Sequence, residues 1–427
     1  MFDKVRMCAK ERFHVKKTNY EVFTTAKVIL ISIIAKSILQ NIIFFYYFCM
    51  YLKRKEICLM KLHVFNPEHD IALAVNMEQF TAPHAARELR ADLGYLPALW
   101  AEDGDMVLVD DVPAALETVR HHGDDAQEVI FVTDRDLQQL STLSPMKVEA
   151  WGMNKSLVKR LLACNPNFTA VLPNDAQLDT IRQMSNRRFA ATHILPALVA
   201  SHPRFVGKST YFTGQVQSLK TLFNQPHQRF VLKAPWSSSG RGMRYVDHDF
   251  TPHVEGWCKN LIHRQGGIMI EPQYDKVLDF GMEFEASAQG DIQYLGLSLF
   301  STVHGAYFGN IVASEETKRQ EISQFIPLDL LNFLQRTLHS LLVAEVSGKY
   351  VGPFGVDMMI VKLADAKELC VHPCVEINFR RTMGHVALSL STNDVPQPKR
   401  LMQITYTDKY RLKISLAGDD LATPYTF

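Results

Sequence analysis

The segment from Phe230 to Val246, FVLKAPWSSSGRGMRYV, constrains the fold more than any other part of the chain. An apolar run ends in Lys233, serines and glycines follow, and a strand-like pattern resumes at Met243. This order predicts a β-hairpin with a loop of small residues. Small residues let backbone N–H groups approach phosphate oxygens, and the lysine adds a positive charge beside them. The alternative interpretation is a serine-rich turn that binds nothing.

Two other phosphate-binding loops are excluded by spacing. A Walker loop needs a glycine five residues before its Gly-Lys-Ser, but the residue five before Gly207 is His202. A dinucleotide fingerprint needs a third glycine where Tyr245 stands. The hairpin loop therefore belongs to a different class of site.

A second informative segment contains GPFGVDMMIV, a short polar turn, and then LCVHPCVEINFRR. Strand alternation places Asp357 and Met359 on one face of the first strand. The same alternation places Glu376, Asn378 and Arg380 on one face of the second strand. The pattern thus predicts a hairpin with an acidic and amide-bearing face.

The register of this hairpin decides whether the acidic residues meet. A hairpin that is symmetric about Ala366 and Lys367 puts Asp357 directly opposite Glu376. Carboxylate and amide oxygens suit Mg²⁺, which takes one or two protein carboxylates and completes its shell with phosphates and water. Arg380 lies next on this face, where it is placed to hold a phosphate or a carboxylate. The alternative is a solvated polar sheet face.

These motifs together resemble the ATP-grasp superfamily. The resemblance is carried by the lysine with its small-residue loop and GRGM, by IMIE at residues 268–271, and by the later Asp and Glu-x-Asn-x-Arg. The loop and the last motif are most similar to the biotin carboxylase and carbamoyl-phosphate synthetase branch. The similarity covers roughly residues 150–390. It implies an α/β chain with an α+β lid, the ATP-grasp fold, and an N-terminal Rossmann-like pre-ATP-grasp domain.

The resemblance also implies a division of the chain into segments. We expect an extension or membrane anchor at 1–59, an α/β pre-ATP-grasp domain at 60–150, a helical connection at 151–204, a lid subdomain at 205–275, and a large subdomain with a C-terminal tail at 276–427.

The cofactors implied by the resemblance are ATP and Mg²⁺, with Mn²⁺ as an alternative. Asp357, Glu376 and Asn378 would hold the metal, and Arg380 with Arg381 would stabilise the transferring phosphoryl group or an acyl phosphate. The implied nucleotide-binding residues are Lys233 with the loop residues Ser237, Ser238, Ser239, Gly240 and Gly242 at the α- and β-phosphates, Glu271 and Tyr274 at the hinge beside adenine and ribose, and Met359 under adenine.

The activity implied is that of a ligase that joins a small carboxylate to an amine or thiol through an acyl phosphate. A small-molecule kinase on the same scaffold and a non-catalytic nucleotide-binding protein stay open as alternatives. The acid, the nucleophile and the oligomeric state are not indicated by the sequence. The net charge of +1 argues against a general nucleic-acid binder.

The first 59 residues differ in composition from the rest of the chain. They carry 11 Lys and Arg against 4 Asp and Glu, whereas the remainder carries 35 against 41. Residues 28–52 are apolar and long enough to span a bilayer, but Lys36, Gln40 and Asn41 count against a span. We expect an upstream region read as protein rather than a membrane anchor. The sparse cysteines after this segment suit a reducing cytoplasm, and zinc binding by Cys370, His372 and Cys374 is not expected.

Several further residues are weaker candidates. FNPEHDIALA follows the first predicted strand, where ligands of open α/β sheets bind, although Asp70 could instead cap a helix. Lys155 and Lys208 compete for a second phosphate contact. The remaining candidates are Asn66, Glu68, His69 and Asp70 for substrate, and Glu283 and Glu285 for ribose or metal. Polar segments at 298–310 and 315–319 are predicted as loops, and the resemblance implies that His304, Tyr307, Lys318 and Arg319 in them are candidates for contacting the acid substrate.

Apolar periodicity gives a coarse secondary structure. Buried strands are predicted at 62–65, 106–109 and 129–132, with helices at 85–93 and 114–121 between them. Further helices are predicted at 151–162, 255–263 and 327–345, the last with a leucine stripe from Leu328 to Leu342.

Overall fold

The computed structural model describes residues 60–141, 146–223, 229–237, 242–247, 250–303, 305–391 and 398–417. These described residues belong to one compact unit. Within the described ranges, no helix is both long and apolar enough to cross a membrane. The segment 28–52 lies outside the described residues.

A parallel four-stranded sheet opens the described chain. Its strands are β1 (Met60–Val64), β2 (Met106–Leu108), β3 (Ile130–Val132) and β4 (Met146–Ala150), in the spatial order β3-β2-β1-β4. The helices between them are α1 (His69–Val75), α2 (His84–Leu93), α3 (Val112–Val119) and α4 (Asp134–Gln138). Parallel pairing needs such crossovers, so the predicted α/β class is confirmed. The prediction missed β4, whose short MKVEA sequence alternates with charged residues.

Helices follow this sheet from residue 155 to residue 201. They are α5 (Lys155–Cys164), α6 (Asp175–Met184), α7 (Arg187–Phe189), a π-helix (Ala190–Ile194) and α8 (Leu195–Ser201). The predicted helix over 151–162 begins only at Lys155, because the Asn154 side chain accepts a hydrogen bond from the Leu157 N–H at 3.0 Å and caps the helix.

A second four-stranded sheet is antiparallel and contains the predicted loop hairpin. Its strands are β5 (Thr210–Phe212), β6 (Arg229–Lys233), β7 (Met243–Asp247) and β8 (Ile268–Pro272), in the order β5-β8-β6-β7. Lys233 pairs with Met243, so the serine and glycine loop joins β6 to β7 as predicted. The helices of this part are α9 (Gln217–Phe223) and α10 (Pro252–Gln265).

The third sheet has seven antiparallel strands. They are β9 (Asp275–Ala286), β10 (Ile292–Val303), β11 (Ala306–Val312), β12 (Gly352–Lys362), β13 (Cys370–Asn378), β14 (Arg400–Tyr406) and β15 (Tyr410–Leu416), in the order β13-β12-β9-β10-β11-β14-β15. Three helices accompany this sheet, namely α11 (Glu315–Ser323), α12 (Leu328–Val346) and α13 (Met383–Ser389).

The main hydrophobic core lies between this sheet and α12. Leu331, Leu334, Leu338 and Leu342 are fully buried, which confirms the predicted helix and most of its stripe. Leu328, which we placed in the stripe, is the first residue of the helix and is 36% exposed. The stripe therefore begins at Leu331.

Candidate functional site

The site is built on the β12–β13 hairpin. Asp357 pairs with Glu376, and Gly355 pairs with Asn378, in the register that the symmetric hairpin predicts. Nearer the turn the register shifts, so that Met359 pairs with His372. We call Asp357, Glu376 and Asn378 the carboxylate face.

The two carboxylates of this face have opposite electrostatic environments. Burial, followed by the charge of Glu376, raises the pKa of Asp357 well above its ordinary value. Burial alone would also raise the pKa of Glu376, but Arg187, Lys233 and Arg380 hold that pKa below its ordinary value. A divalent cation would relieve the repulsion between Asp357 and Glu376, so this donor set fits Mg²⁺.

The protein would supply few ligands to such an ion. In the described part of the chain, no three His, Cys, Asp or Glu side chains cluster as a metal site. Two carboxylates are what Mg²⁺ commonly takes from a protein when a nucleotide provides the rest.

The third predicted metal ligand, Asn378, presents its amide nitrogen to Asp357. Its amide nitrogen donates to Asp357 Oδ2 at 3.0 Å, and its amide oxygen accepts from Arg380 Nη2 at 2.9 Å. Only a carboxamide rotated by half a turn would direct oxygen toward the carboxylates. Such a rotation would break both of these hydrogen bonds.

Arg380 is held by protein acceptors on several sides. Its Nε donates to Asp70 Oδ2 at 2.9 Å, and its Nη1 donates to the Arg381 carbonyl at 3.1 Å. Asp70 is the residue that we considered as a helix cap, but Glu68 stands at the cap position of α1. Asp70 therefore ties the segment after β1 to the arginine of the carboxylate face.

Arg381 is less constrained than Arg380. Its backbone N–H donates to the Trp151 carbonyl at 2.8 Å. Its guanidinium lies 4.7 Å from the Trp100 ring centroid and 3.8 Å from Glu149 Oε2. Within the described residues, no hydrogen bond ties this guanidinium to the protein. It is therefore the more available of the two predicted catalytic arginines.

Arg187 joins the carboxylate face to the loop hairpin, and the sequence analysis missed it. Its guanidinium forms an ion pair with Glu376. The same group donates to the Ala234 carbonyl at 2.8 Å and to Ser237 Oγ at 2.9 Å. Its sequence context, Asn-Arg-Arg at the start of a helix, carried no recognisable signal. We infer its importance only from the contact between segments far apart in sequence.

Lys233 and Glu271, which we assigned to phosphate and to the hinge, form a buried ion pair. Lys233 Nζ lies 2.5 Å from Glu271 Oε2, and their side chains are 8% and 7% exposed. Ser209 Oγ donates to the other oxygen of Glu271 at 2.9 Å. Glu271 therefore orients the lysine at the end of β6.

The hinge side of the site contains Tyr274, Met359 and His372. The Tyr274 ring lies edge-on to the His372 ring, with centroids 5.6 Å apart. His372 is 1% exposed, and neither ring nitrogen has a hydrogen-bond partner among the described residues. Burial lowers the pKa of His372 to about 4, so its imidazole is neutral at physiological pH.

The small-residue loop is only partly described. Ser237 contacts Arg187 as stated above, and Gly242 accepts a hydrogen bond from the Ala234 N–H at 2.7 Å. A Cβ at Gly242 would overlap the Ser237 side chain, which explains the glycine. Ser238, Ser239 and Gly240, to which we assigned phosphate contacts, lie outside the described residues.

The two candidate lysines for a second phosphate contact have different surroundings. Lys155 forms an ion pair with Asp179 at 3.0 Å on the neighbouring helix. Lys208 lines an apolar cavity of about 380 Å³ together with residues of α8. In the described structure, Arg187 occupies the position beside the loop that we sought for a lysine.

The candidates on β9 and in the segment 298–319 have structural partners. Glu283 accepts a hydrogen bond from Thr382 Oγ1 at 2.9 Å, and its charge acts on the pKa of Asp357. The segment that we took for loops forms β10 and β11, and Tyr307 OH donates to Asn310 at 2.6 Å. Lys318 is buried and donates to the Leu297 carbonyl at 2.7 Å. Arg319 donates a hydrogen bond to Asn332. The negative charge of Glu285 acts on the Arg381 guanidinium. His304 lies outside the described residues.

The segment directly after Arg381 is the start of α13. Thr382 and His385 form a capping box there. Residues Asn66 and His69 are also engaged by protein, since Asn66 bonds both ways with Gly152 and His69 Nδ1 lies 3.2 Å from the Asn154 amide nitrogen. These groups hold the segment after β1 in place.

Comparisons with known proteins find similarity only to solved structures. No family model matches the chain, and no curated protein matches it. Staphylococcus aureus N5-carboxyaminoimidazole synthetase complexed with ADP aligns with a TM-score of 0.45 and 12% identity, over 86% of this chain and 97% of that chain.

Two biotin carboxylase structures align in the same way. The biotin carboxylase domain of Hydrogenobacter thermophilus 2-oxoglutarate carboxylase, in complex with MgADP, ADP and bicarbonate, has a TM-score of 0.44 and 12% identity, over 81% of this chain and 74% of that chain. Biotin carboxylase from Campylobacter jejuni has a TM-score of 0.43 and 12% identity, over 82% of this chain and 76% of that chain. Because these scores are low, the fold is assigned from the topology of the chain itself. That topology agrees with the ATP-grasp fold that the sequence resemblance implies.

Proposed function

We propose that the protein is an ATP-dependent ligase that joins a carboxylate to an amine or thiol through an acyl phosphate and releases ADP and phosphate. The observation that carries the proposal is the convergence of charge on Glu376. Arg187, Lys233 and Arg380 come from three different segments, and all three act on the pKa of this one carboxylate. Such a group of cations beside paired carboxylates suits a triphosphate with a divalent ion.

Each residue has a role that follows from its contacts. A divalent ion such as Mg²⁺ would supply positive charge that offsets the negative charge developing during phosphoryl transfer. Asp357 and Glu376 would hold that ion. Lys233, oriented by Glu271, and Arg187 would neutralise the phosphates. Arg380 is fixed by Asp70, so it would act as an immobile positive charge with little reorganisation during phosphoryl transfer.

The acid substrate would meet the guanidinium of Arg381. This group is partly buried and has no hydrogen bond within the described residues, so a carboxylate or acyl phosphate would supply the missing acceptors. Arg187 bonds to Ser237 at the start of the loop and would transmit loop closure to the carboxylate face. Closure would exclude the water that hydrolyses an acyl phosphate.

The test is an assay of ADP and phosphate with Mg-ATP and pooled carboxylic acids and amines. Release of both products only when an acid and an amine are present is expected of a ligase. ADP without phosphate would show a kinase instead. Neither product, with nucleotide bound, would favour the binding-protein alternative.

Three variants test the residues that we assign. Lys233→Ala should weaken ATP binding, because it removes a buried cation beside the phosphates. Glu376→Gln should reduce turnover much more than nucleotide affinity, because it removes a metal ligand. Lys155→Ala is the matched lysine control, since Lys155 is paired with Asp179. Near-wild-type turnover in both Lys233→Ala and Glu376→Gln would remove the assignment.

A further inference from the structure

A cavity of about 540 Å³ lies beside the carboxyl end of β1, and the site described above does not use it. Its wall includes Glu68 after β1, Arg90 from α2, and Lys159 and Arg160 from α5. None of Asp357, Glu376, Asn378 or Arg380 lines it. Cavities at this edge of a parallel α/β sheet are where ligands commonly bind.

Two buried polar atoms in its wall have no partner among the described residues. Arg90 Nη1 donates to Glu68 Oε1 at 2.9 Å, but Glu68 Oε2 accepts no hydrogen bond. Arg90 Nε donates none, and Asp110 Oδ2 lies 3.9 Å from it, beyond hydrogen-bond distance. Glu68 is only 8% exposed, so solvent does not readily satisfy its free oxygen. Unpaired buried groups of this kind are costly, which points to a missing ligand.

The other charges of the wall already have partners. Lys159 pairs with Glu78 at 3.4 Å, and Arg160 pairs with Asp134 at 3.1 Å. The free acceptor and the free donor therefore belong to a single ion pair, Glu68 and Arg90. A ligand that satisfies both must donate to a carboxylate and accept from a guanidinium.

We propose that this cavity binds a free amino acid, with its ammonium on Glu68 Oε2 and its carboxylate on Arg90 Nε. Both new contacts would be charge-assisted, and such bonds are roughly twice as strong as neutral ones. A simple alkylamine would leave Arg90 Nε without an acceptor. A simple carboxylate would be repelled by Glu68, and a carboxamide would form only bonds without charge on the ligand.

The cavity is connected to the carboxylate face through a short segment. Glu68 lines the cavity, and Asp70, two residues later, accepts from Arg380 Nε at 2.9 Å. An amino acid bound here is the candidate for the amine that the ligase joins. That identification rests on the proposed function, whereas the binding itself does not.

The binding test uses calorimetry on the full chain without nucleotide. Each common L-amino acid is titrated, and the one that binds is compared with its decarboxylated amine and its deaminated acid. We expect one class of amino acid to bind and either analogue to bind at least about tenfold more weakly. Binding of no amino acid, or equal binding of an analogue, would overturn the proposal.

Variants place the ligand in this cavity. Glu68→Gln should weaken binding by at least about tenfold, while Glu88→Gln changes it little because Glu88 pairs with His84 at 3.0 Å and does not line the cavity. Ser156→Leu should block binding by filling the cavity without altering the Glu68–Arg90 pair, and it serves if Glu68→Gln fails to fold. Wild-type affinity in Glu68→Gln or in Ser156→Leu would place the ligand elsewhere.

The two proposals fail in distinguishable ways. Amino-acid binding without any ADP release would leave the cavity assignment intact and count against the ligase. Release of ADP and phosphate with amines, but with no amino acid bound in calorimetry, would support the ligase and overturn the cavity assignment.

Discussion

Glu283 and His385 form a buried pair beside the carboxylate face, and the pH dependence of stability tests where its proton lies. Glu283 Oε2 lies 3.0 Å from His385 Nδ1, and their side chains are 2% and 1% exposed. Burial raises the pKa of Glu283 to about 7 and lowers the pKa of His385 to about 3. The geometry is that of an ion pair, but these pKa values make both groups neutral near pH 5 to 6. We favour the neutral pair because burial disfavours both charges.

The hydrogen bonds are compatible with a neutral pair. His385 Nε2 lies 3.2 Å from the Phe284 carbonyl, so this nitrogen carries the hydrogen. His385 Nδ1 is then an acceptor, and it receives the backbone N–H of Thr382 at 3.2 Å. A protonated Glu283 carboxyl can donate to the same nitrogen. Folding therefore moves a proton from the imidazolium to the carboxyl group.

The two groups have opposite linkage to stability. The pKa of Glu283 is raised from 4.5 to about 7, so its contribution to stability is complete below pH 4.5 and is lost as the pH rises toward 7. The pKa of His385 is lowered from 6.5 to about 3, so its contribution is complete above pH 6.5 and is lost as the pH falls toward 3. Between pH 4.5 and 6.5 the Glu283 contribution to the free energy of unfolding falls by about 3 kcal/mol, and the His385 contribution rises by about the same amount. In the wild type the two effects cancel in this range.

Removing one member should expose the effect of the other. Glu283→Gln keeps the shape and a donor toward His385 but cannot release a proton. Its stability relative to wild type should rise by about 3 kcal/mol from pH 4.5 to 6.5. His385→Gln should show the opposite slope, falling by about the same amount. Urea unfolding followed by tryptophan fluorescence at several pH values measures both differences, and other titrating groups cancel because all three proteins carry them. Parallel curves for Glu283→Gln and wild type would refute the neutral pair.

Two further predictions concern single contacts. Arg187→Met should weaken ATP binding about 10- to 100-fold, because a charged hydrogen bond is worth about 1.5–3 kcal/mol. The ATP affinity of Arg187→Lys, measured by calorimetry, should lie between those of Arg187→Met and the wild type. Equal affinities in all three proteins would show that Arg187 does not contact the nucleotide. Gly384→Ala should lower the free energy of unfolding by about 1–3 kcal/mol, because a Cβ there would overlap Glu283 Oε1. Gly256 is exposed within α10, and a Cβ added there would meet no atom within 4 Å. Gly256→Ala should therefore raise the free energy of unfolding by about 0.5–1 kcal/mol. Urea unfolding measures both variants, and the same effect from both alanines would contradict this explanation.

The β12–β13 hairpin was predictable because its register depends on local symmetry and on a period of two. Asp357 and Glu376 therefore pair as predicted. Nearer the turn the register shifts, so that Met359 pairs with His372 and not with Cys374, which a symmetric hairpin would place opposite it. A bulge of this kind has no clear signal in single-sequence alternation.

The contacts between segments could not be predicted. Arg187 meets Glu376 only because a helix of the connecting segment lies beside the large sheet, and no periodicity encodes that meeting. Likewise, Lys233 and Glu271 each matched a motif, but their mutual ion pair follows from the pairing of β6 with β8. The segment 298–310 is predicted as loop because its glycines and polar residues interrupt the apolar alternation of a strand. In the structure it forms parts of two strands that turn at Gly305, where φ is +78°.

The observed ion pairs also determine how nucleotide affinity should be interpreted. Lys233 is paired with Glu271, and Arg187 is paired with Glu376, so neither cation waits unpaired for a phosphate. A phosphate that binds either cation competes with a buried carboxylate, and a metal ion that binds Glu376 competes with Arg187. Metal and phosphate should therefore bind cooperatively. A metal ion on Glu376 releases Arg187 to bind the phosphate, and a phosphate bound to Arg187 leaves Glu376 available to the metal. The affinity for nucleotide should accordingly depend on Mg²⁺ more steeply in the wild type than in Arg187→Met, where that exchange has been removed.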